Sequence, residues 1–317
     1  MTNITVFGAG AWGCALALHI HKTGANVRLW ARNPSARLPS GAMPRLRDHP
    51  LPADITVSDT FPVTTDLSVV VIPVQHLASV LPHLPQAPVL LCCKGIEQTT
   101  LDFPLEILAR VRPDLKGAFL SGPNFAHEIA AGLPAAAVIA AAQHETAQHI
   151  AELISSPLFR LYTSTDCTGV QLGGAAKNVI AIAAGATMGA GLGENARAAL
   201  ITRGLAETGR LATALGGQPA TLSGLAGIGD LLLTCTSPAS RNYRMGLALG
   251  QGSRKEEALT TLPGVAEGVT TASALLSIAR RHNVHVPITE TIASFLSGSL
   301  TLAQAQDKLL SRPPGFE

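Results

Sequence analysis

One lysine stands alone in a long apolar stretch. Lys177 is the only charged residue between Asp166 and Glu194, within the segment GGAAKNVIAIAAG. An ammonium group in such surroundings either reaches out to solvent or lies in a cleft, where partial desolvation lowers its pKa. In the cleft it can donate and accept a proton near neutral pH. Asn178, the next residue, could then hold a hydroxyl or a carboxamide of a ligand.

One aspartate is isolated in the same way. Asp230 is the only charged residue from Leu211 to Ser240, within GLAGIGDLLLTC. A buried carboxylate needs a cationic partner, and Lys177 is an obvious candidate. The alternative is that Asp230 caps a helix that starts after Gly229, because Asp is favoured at that position. The sequence leaves both interpretations open.

Two further places combine positive charge with a position suited to anions. In SPASRN, residues 237–242, Ser240, Arg241 and Asn242 offer hydroxyl, guanidinium and amide donors that suit a phosphate, although an exposed capped helix start has the same residue types. Lys94 ends the apolar run PVLLCCK. If this run is a strand, Lys94 lies at the carboxyl edge of the sheet, where ligands of open α/β sheets bind, or else it is simply an exposed edge lysine.

The segment VFGAGAWG, residues 6–13, contains three glycines with the spacing of a dinucleotide-binding turn. It follows the apolar run ITVF and opens an amphipathic helix, which is the context that such a turn requires. Gly8 would form the turn, Gly10 would let a pyrophosphate approach the backbone, and Gly13 would let helix and strand pack closely. The amides at the helix start would face the phosphates. A flexible loop is the alternative, because the chain has 30 glycines.

The residue that follows the second predicted strand indicates which dinucleotide binds. NAD is usually held there by an acidic residue that accepts hydrogen bonds from the ribose hydroxyls. This chain has Ala31 and Arg32 instead. A guanidinium can pair with the 2′-phosphate of NADP, so the sequence favours NADPH, with NADH also usable. An ordinary solvated arginine is the alternative.

The order of apolar runs predicts two domains. Six short runs that are apolar throughout alternate with helix-length segments up to about residue 165, which is typical of a parallel sheet covered on both faces. From residue 166 onward, long Ala- and Leu-rich helical stretches take over. We therefore expect an α/β Rossmann-type dinucleotide-binding domain at 1–165 and an all-α substrate-binding and catalytic domain at 166–317. The runs lie at residues 4–7, 26–30, 69–73, 88–94, 117–123 and 135–141.

Composition argues against several classes of function. The net charge is +2 with no run of like charges, which argues against a nucleic-acid partner. None of the five cysteines has a zinc-ligand spacing, and the histidines form no triad, so we expect reduced thiols and no metal. The apolar stretch at 178–192 is shorter than a membrane span. We expect a cytoplasmic protein with no membrane span, and its apolar helical half is compatible with a homodimer.

Seven segments, taken together and in order, resemble the bacterial-type NAD(P)-dependent glycerol-3-phosphate dehydrogenases across nearly the whole chain. The resemblance implies reversible hydride transfer between NAD(P)H and dihydroxyacetone phosphate, a small phosphorylated substrate. The product would be sn-glycerol 3-phosphate, the precursor of glycerophospholipids. The segments are GAGAWG, CCKGIE, SGPNFAHEIAAGLP, GVQLGGAAKNVIAIAAG, ENARAALITRGLAE, AGIGDLLLTCTSPASRN and PGVAEGVTTA.

The resemblance also assigns roles to individual residues. Lys177 would be the catalytic proton donor and acceptor. The substrate site would comprise Lys94, Gly122, Asn124, Asp230, Ser240, Arg241 and Asn242. The cofactor site would comprise Gly8, Gly10, Ala11, Trp12, Gly13, Arg32, Lys94, Ala126, Arg241, Val265 and Glu267.

The chain departs from the family pattern at two places. The family usually has Ser or Thr at the position of Asn124, and the segment at 33–54 is shortened, with RLRDHPLP at 45–52 in place of an Asn-x-x-Tyr-Leu-Pro stretch. Two other functions fit the same architecture. A related two-domain β-hydroxyacid dehydrogenase would prefer a carboxylate substrate, and a non-catalytic sensor would bind NADPH without turnover.

Overall fold

The computed structural model describes residues 1–261 and 266–311. It separates into two compact units. The first comprises Met1–Lys94 and Asp102–Gln171, and the second comprises Gly95–Leu101 and Leu172–Glu317. The predicted domain boundary between residues 165 and 166 stays a prediction.

The first unit is built on one sheet. Apolar runs such as Leu67–Val70 are buried along their whole length, and this burial is typical of strands that are covered on both faces. Among the described residues the sheet has eight strands. They are β1 (Asn3–Phe7), β2 (Asn26–Trp30), β3 (Thr56–Ser58), β4 (Leu67–Val70), β5 (Val89–Leu91), β6 (Gly117–Ser121), β7 (Ala135–Ala140) and β8 (Phe159–Ser164).

The strand order creates a place where a ligand can bind. The order is β3-β2-β1-β4-β5-β6-β7-β8, so the chain moves outward from β1 in one direction and later outward from β4 in the other. Phe7 at the end of β1 pairs in register with Trp30 of β2 and Val70 of β4. Ligands of open α/β sheets bind beyond the carboxyl ends of the strands at such a switch point. Gly8 follows Phe7 directly at this point.

Helices pack on the sheet and complete the core of the first unit. Leu16 and Ile20 of the first helix are buried with Val6 and Leu29 of the sheet. His19 of the same helix is buried, and its Nε2 donates to the carbonyl oxygen of Ile154 over 2.7 Å. Burial lowers the pKa of His19, so this histidine is a neutral structural group. The helices are α1 (Ala11–Lys22), α2 (Leu77–Val80), α3 (Pro104–Val111), α4 (Ala126–Ala131) and α5 (His144–Ile154).

The fold class expected for this unit is confirmed, but two details of the prediction were wrong. β7 runs antiparallel to β6, so the sheet is not parallel throughout. Two strands were not predicted: β3, which has three residues, and β8, whose sequence FRLYTS alternates between apolar and polar side chains. β8 lies at one edge of the sheet, and its residues Arg160 and Tyr162 are exposed, so it lacks the continuous apolar run that marks the central strands.

In the second unit every regular element within residues 172–261 and 266–311 is a helix. Glycines allow two of these helices to pack closely, because a Cβ at Gly185 would overlap the carbonyl oxygen of Tyr243 and one at Gly246 would overlap that of Ile182. No helix in the described part of the chain is long and apolar enough to cross a membrane. The helices are α6 (Cys167–Gly189), α7 (Gly193–Ala214), α8 (Asp230–Thr236), α9 (Arg241–Gly250), α10 (Lys255–Thr261), α11 (Glu267–Arg281), α12 (Pro287–Leu296) and α13 (Leu302–Leu310).

Candidate active site

The glycine turn spans the end of β1 and the first residues of α1, and its three glycines differ in whether the fold itself requires them. Gly8 has a left-handed φ of +118°, and a Cβ there would lie 2.5 Å from the carbonyl oxygen of Val71. A Cβ at Gly13 would overlap the carbonyl oxygen of Gly8. Both positions therefore require glycine for the fold itself. Gly10 differs, because its φ of −71° suits any residue and a Cβ there would meet nothing within 4 Å.

The open space at Gly10 fits a bound pyrophosphate. Gly10 is the N-cap of α1 and has no side chain to accept a hydrogen bond from the first turn, in which Ala11 and Trp12 are half-buried. The free amides and the positive end of the helix dipole favour an anion at this point. Arg32 lies two residues after the end of β2 and is exposed.

A second group of predicted residues lies at the carboxyl ends of β5 and β6. Lys94 Nζ donates to the carbonyl oxygen of Gly122 over 3.2 Å. Gly122 has a φ of +150°, and a Cβ there would lie 2.8 Å from Cα of Ala137, so no larger residue fits. Ala126 begins α4 and is half-buried.

Asn124 has the most unusual surroundings in this group. Its amide Nδ2 and Oδ1 are both buried, and neither has a hydrogen-bond partner among the described residues. Leaving a buried polar atom unpaired costs about 1–3 kcal/mol. A ligand group that both donates and accepts, such as a hydroxyl or a carboxamide, would satisfy the two atoms together.

In the second unit the two isolated charges form an ion pair. Lys177 lies in the middle of α6, and its Nζ donates to Oδ1 of Asp230. Asp230 is 1% exposed and is the first residue of α8, with helical φ and ψ of −71° and −32°, so it is not the N-cap. The sequence left two interpretations of Asp230 open, and the structure confirms its pairing with Lys177. The catalytic role of Lys177 stays a prediction. Thr234 Oγ1 supports the helix turn by donating to the Asp230 carbonyl oxygen over 2.6 Å.

The thiol beside this pair is not a reactive group. Cys235 is buried at the end of α8, and burial raises its pKa to about 12, with smaller influences from the charges of Lys177 and Asp230. A thiol with such a high pKa stays protonated and is a poor nucleophile. In the described residues there is no cluster of His, Cys, Asp and Glu that could hold a metal ion.

The start of α9 carries the predicted phosphate-binding residues. Ser240 is the N-cap, and its Oγ accepts from the Tyr243 amide over 3.2 Å. Arg241, the first residue of the helix, is exposed. Ser240 therefore caps the helix, as one interpretation expected, while the guanidinium of Arg241 stays exposed and can still bind a phosphate, as the other expected.

Three helices meet beside Lys177 in a way that the sequence did not predict. Asn178 Oδ1 accepts from Asn242 Nδ2 over 2.9 Å, and Asn242 Oδ1 accepts from the Gly268 amide over 3.0 Å. Asn178 is buried, so its side-chain amide forms hydrogen bonds within the protein and does not face solvent. No signal in the sequence points to these contacts, because they join residues of three separate helices. Glu267, predicted to contact the cofactor, begins α11 and is half-buried, while Val265 lies outside the described residues.

Comparisons with known proteins agree with these features. Family models for the N-terminus and the C-terminus of NAD-dependent glycerol-3-phosphate dehydrogenase match residues 3–147 and 166–307. A glycerol-3-phosphate dehydrogenase [NAD(P)+] of Gluconobacter oxydans is 52% identical, covering 99% of this chain and 98% of the relative. This chain belongs to the NAD-dependent glycerol-3-phosphate dehydrogenase family. The membership confirms the resemblance inferred from the seven sequence segments.

Other members of the glycerol-3-phosphate dehydrogenase family show similar agreement in sequence and fold. An enzyme of the same name from Sphingopyxis alaskensis is 44% identical, covering 98% of this chain and 97% of the relative. The crystal structure of glycerol-3-phosphate dehydrogenase from Coxiella burnetii superposes with a TM-score of 0.92 at 35% identity, covering 98% of this chain and 99% of that one. The sequence and fold of this oxidoreductase family therefore extend over essentially the whole chain.

Proposed function

We propose that this protein catalyses the reversible NAD(P)H-dependent reduction of dihydroxyacetone phosphate to sn-glycerol 3-phosphate. The observation that carries the proposal is the 52% identity, over almost the whole chain, to a glycerol-3-phosphate dehydrogenase [NAD(P)+]. The buried Lys177–Asp230 pair supports it, because ketone reduction needs a proton donor held in one place.

The glycine turn would bind the cofactor. Gly10, Ala11, Trp12 and the free amides of the α1 start would hold the pyrophosphate, while Gly8 and Gly13 give the turn its shape. Arg32 supports a preference for NADPH over NADH, because its exposed guanidinium can pair with a 2′-phosphate. Lys94, Ala126, Arg241, Val265 and Glu267 complete the proposed set of cofactor contacts. When bound, the reduced nicotinamide supplies the hydride.

Lys177 would handle the proton. In the direction of reduction its ammonium donates a proton to the C2 oxygen of dihydroxyacetone phosphate, and in the reverse direction the neutral amine accepts it. Before transfer, the positive charge stabilises the oxygen on which negative charge develops. Asp230 orients the ammonium, because its buried carboxylate accepts a hydrogen bond from Nζ.

The remaining residues would recognise the rest of the substrate. Arg241 is suited to the phosphate, since a guanidinium can form two parallel hydrogen bonds to it, and the Ser240 hydroxyl lies next to it at the start of α9. The unpaired amide of Asn124 suits the terminal hydroxyl, which can donate and accept, as the Ser or Thr usual in the family also could. Lys94 and Gly122 lie with Asn124 beyond β5 and β6.

Three wider expectations belong to the same proposal. The product would supply glycerophospholipid biosynthesis. The five free thiols support a location in the reducing cytoplasm. The apolar composition of the helical half supports a homodimer, which size-exclusion chromatography with light scattering would test.

The experiment is a direct assay of the purified protein. Oxidation of NADPH or NADH is followed by absorbance with dihydroxyacetone phosphate, with unphosphorylated dihydroxyacetone and with a β-keto acid. We expect oxidation that requires the phosphate and is faster at low NADPH than at low NADH. Turnover of the β-keto acid alone would indicate a β-hydroxyacid dehydrogenase. Tight NADPH binding without turnover of any substrate would indicate a sensor and contradict the proposal.

A further inference from the structure

The chain forms a π-helical turn immediately before Asp230. The turn covers Leu225–Gly229, and the Gly229 amide donates to the Gly224 carbonyl oxygen, five residues earlier, over 3.2 Å. π-helical turns are rare, and they are found frequently at functional sites. Asp230 follows the turn directly as the first residue of α8. The position of the π-helical turn therefore determines where the Asp230 carboxylate lies.

This turn lies directly against α6 at Gly173. A Cβ at Gly173 would lie 2.5 Å from the carbonyl oxygen of Ala226 in the turn and 3.2 Å from Cδ2 of Leu222. Because atoms in ordinary van der Waals contact are about 3.5 Å apart, any larger residue at this position would push Ala226 away by about 1 Å. Glycine in the interior of a helix is destabilising relative to alanine, so the close approach of the turn is the physical reason for glycine here.

The contact at Gly173 lies one helical turn from the ion pair. Lys177 follows Gly173 by four residues in α6, and Asp230 follows Ala226 by four residues. Residues four apart lie on the same face of a helix, about 6 Å from each other along its axis. The two segments therefore run side by side, with the backbone contact at one level and the ion pair at the next. A displacement of Ala226 is passed to Asp230 through a single turn of helical backbone.

A second glycine holds the turn from its other side. A Cβ at Gly227 would overlap the carbonyl oxygen of Leu222. Gly173, Lys177, Leu222 and Gly227 also contribute to the lining of a cavity of about 10 Å³, which is space for one water molecule at most. The turn is thus packed between α6 and Leu222, and it cannot accommodate an added methyl group at Gly173 without moving.

We propose that Gly173 is a positioning residue for the proton-transfer step. The absence of a side chain at this position lets the π-helical turn lie against α6, and this contact sets the separation of Lys177 Nζ and Asp230 Oδ1. A misplacement of about 1 Å in an active site can cost about 100-fold in rate, so a packing contact one turn from the ion pair is close enough to determine turnover. The proposal rests on the proposed function for the role of Lys177.

Gly173→Ala tests the proposal against a matched control in the same helix. The added methyl group displaces Ala226 and with it Asp230, so we expect kcat to fall about 10- to 100-fold while the KM values for both substrates change less than about threefold. Gly189→Ala adds the same group about three turns beyond the ion pair, where it would overlap the Leu247 carbonyl oxygen. We expect G189A to lose stability but to keep kcat within about twofold of wild type when folded. Equal losses of kcat in the two folded variants, or an unchanged kcat in G173A, would overturn the proposal.

A longer carboxylate distinguishes a displaced ion pair from a general loosening of the protein. Glutamate is longer than aspartate by one methylene group, so in the wild-type background Asp230→Glu is too long, and we expect kcat to fall. In the G173A background the longer side chain spans the added gap, and we expect G173A/D230E to have a kcat about three- to tenfold above that of G173A alone. Additive losses in the double variant would overturn the proposal, because loosening alone gives no reason for rescue.

The coupling between the two charges provides a measurement that needs no turnover. The variants K177M, D230N and K177M/D230N form a double-mutant cycle in urea unfolding, which is measured in the wild-type and G173A backgrounds. We expect the coupling in the G173A background to be about half of the wild-type value or less, because the charges lie further apart. Equal coupling in the two backgrounds would overturn the proposal. Failure of the wild type to reduce dihydroxyacetone phosphate would contradict only the proposed function, since the unfolding cycle requires no substrate.

Ala226→Gly keeps the proposal testable if G173A does not fold. This variant adds no atom, but glycine gives the π-helical turn more conformational freedom, so Asp230 is held less precisely. We expect kcat to fall about threefold or more with KM unchanged. An unchanged kcat in A226G would then overturn the proposal.

Discussion

Two buried carboxylates of the helical unit, Asp230 and Glu207, are held in opposite ways. Asp230 is 1% exposed and pairs with Lys177, whose ammonium can release a proton. Glu207, in α7, is 3% exposed and accepts from the backbone amides of Ile288 and Thr289 at 2.8 and 2.9 Å and from the Thr289 hydroxyl at 2.5 Å. None of those donors can exchange a proton with a substrate near neutral pH.

The difference shows that burial alone does not distinguish a carboxylate beside a proposed proton donor from one that caps a helix. Glu207 satisfies the free amides in the first turn of α12 (Pro287–Leu296), a capping role supplied from another helix. Burial raises the pKa of Glu207, while its hydrogen bonds to Thr289 and Ile288 and the charge of Arg210 act in the other direction. The partner of the buried group separates the two roles, because only the partner of Asp230 is itself an acid.

The largest expected effect comes from removing the ammonium. In Lys177→Met we expect kcat to fall about 1,000-fold or more, because general acid catalysis contributes about 100- to 10,000-fold. The charge of Asp230 also loses its partner, which lowers the free energy of unfolding by about 3–5 kcal/mol. Turnover assays and urea unfolding measure the two effects separately.

The double variant K177M/D230N separates catalysis from stability. Removing both charges should restore most of the free energy of unfolding, because no unpaired buried charge remains, but should not restore kcat. A K177M variant that folds and keeps more than about a tenth of the wild-type kcat would contradict the role given to Lys177. Restored activity in the double variant would contradict it as well.

The burial of Asp230 could be predicted from the sequence, but that of Glu207 could not, for a physical reason. Lys177 and Asp230 stand in stretches without other charges, so the sequence itself indicates that each is buried. Glu207 lies between Arg203 and Arg210 on a helix with a charged face, where a carboxylate is expected to be solvated. Its burial depends on α12, which lies about eighty residues further along the chain.

Prediction of the fold is limited in the same way, because some features depend on distant parts of the chain. Continuous apolar runs predicted the central strands, and the change to Ala- and Leu-rich stretches predicted the helical unit. The antiparallel direction of β7 depends on how the chain returns to the sheet, and no local pattern encodes that path. The hydrogen bonds that join Asn178, Asn242 and Gly268 were not predictable either, because single asparagines and glycines give no signal until the helices are in place.

The variant Glu207→Ala tests the structural role that the comparison gives to Glu207. In Glu207→Ala the amides of Ile288 and Thr289 lose their acceptor, and we expect the free energy of unfolding to fall by about 2–4 kcal/mol. The kcat of the folded enzyme should stay within about twofold of wild type, because we assign Glu207 no contact with substrate or cofactor. A large loss of kcat with unchanged urea unfolding would mean that Glu207 has a catalytic role and would break the comparison.

The glycine turn of the first unit also combines a structural residue, Gly13, with a proposed ligand-binding residue, Gly10. Gly13→Ala places a Cβ against the carbonyl oxygen of Gly8, so we expect the free energy of unfolding to fall by about 1–3 kcal/mol. Gly10→Ala meets no protein atom, so we expect unchanged stability but NADPH binding weakened about tenfold, since the methyl group would occupy the path of the pyrophosphate. Urea unfolding and fluorescence titration distinguish them. Normal NADPH binding by G10A would contradict the proposed cofactor position.

The smallest effect is the dependence of stability on pH. Because burial raises the pKa of Glu207 in the folded state, the folded protein binds this proton more tightly than the unfolded chain. The stability contributed by this titration is fully present below the unfolded pKa of about 4.3, and it is lost as the pH rises through the raised folded value. We expect the free energy of unfolding of wild type minus that of E207Q to decrease with pH in this window, by at most about 1.4 kcal/mol per pH unit. A difference that instead grew with pH would mean that the hydrogen bonds from Ile288 and Thr289 outweigh burial. The folded state would then stabilise the ionised form of Glu207.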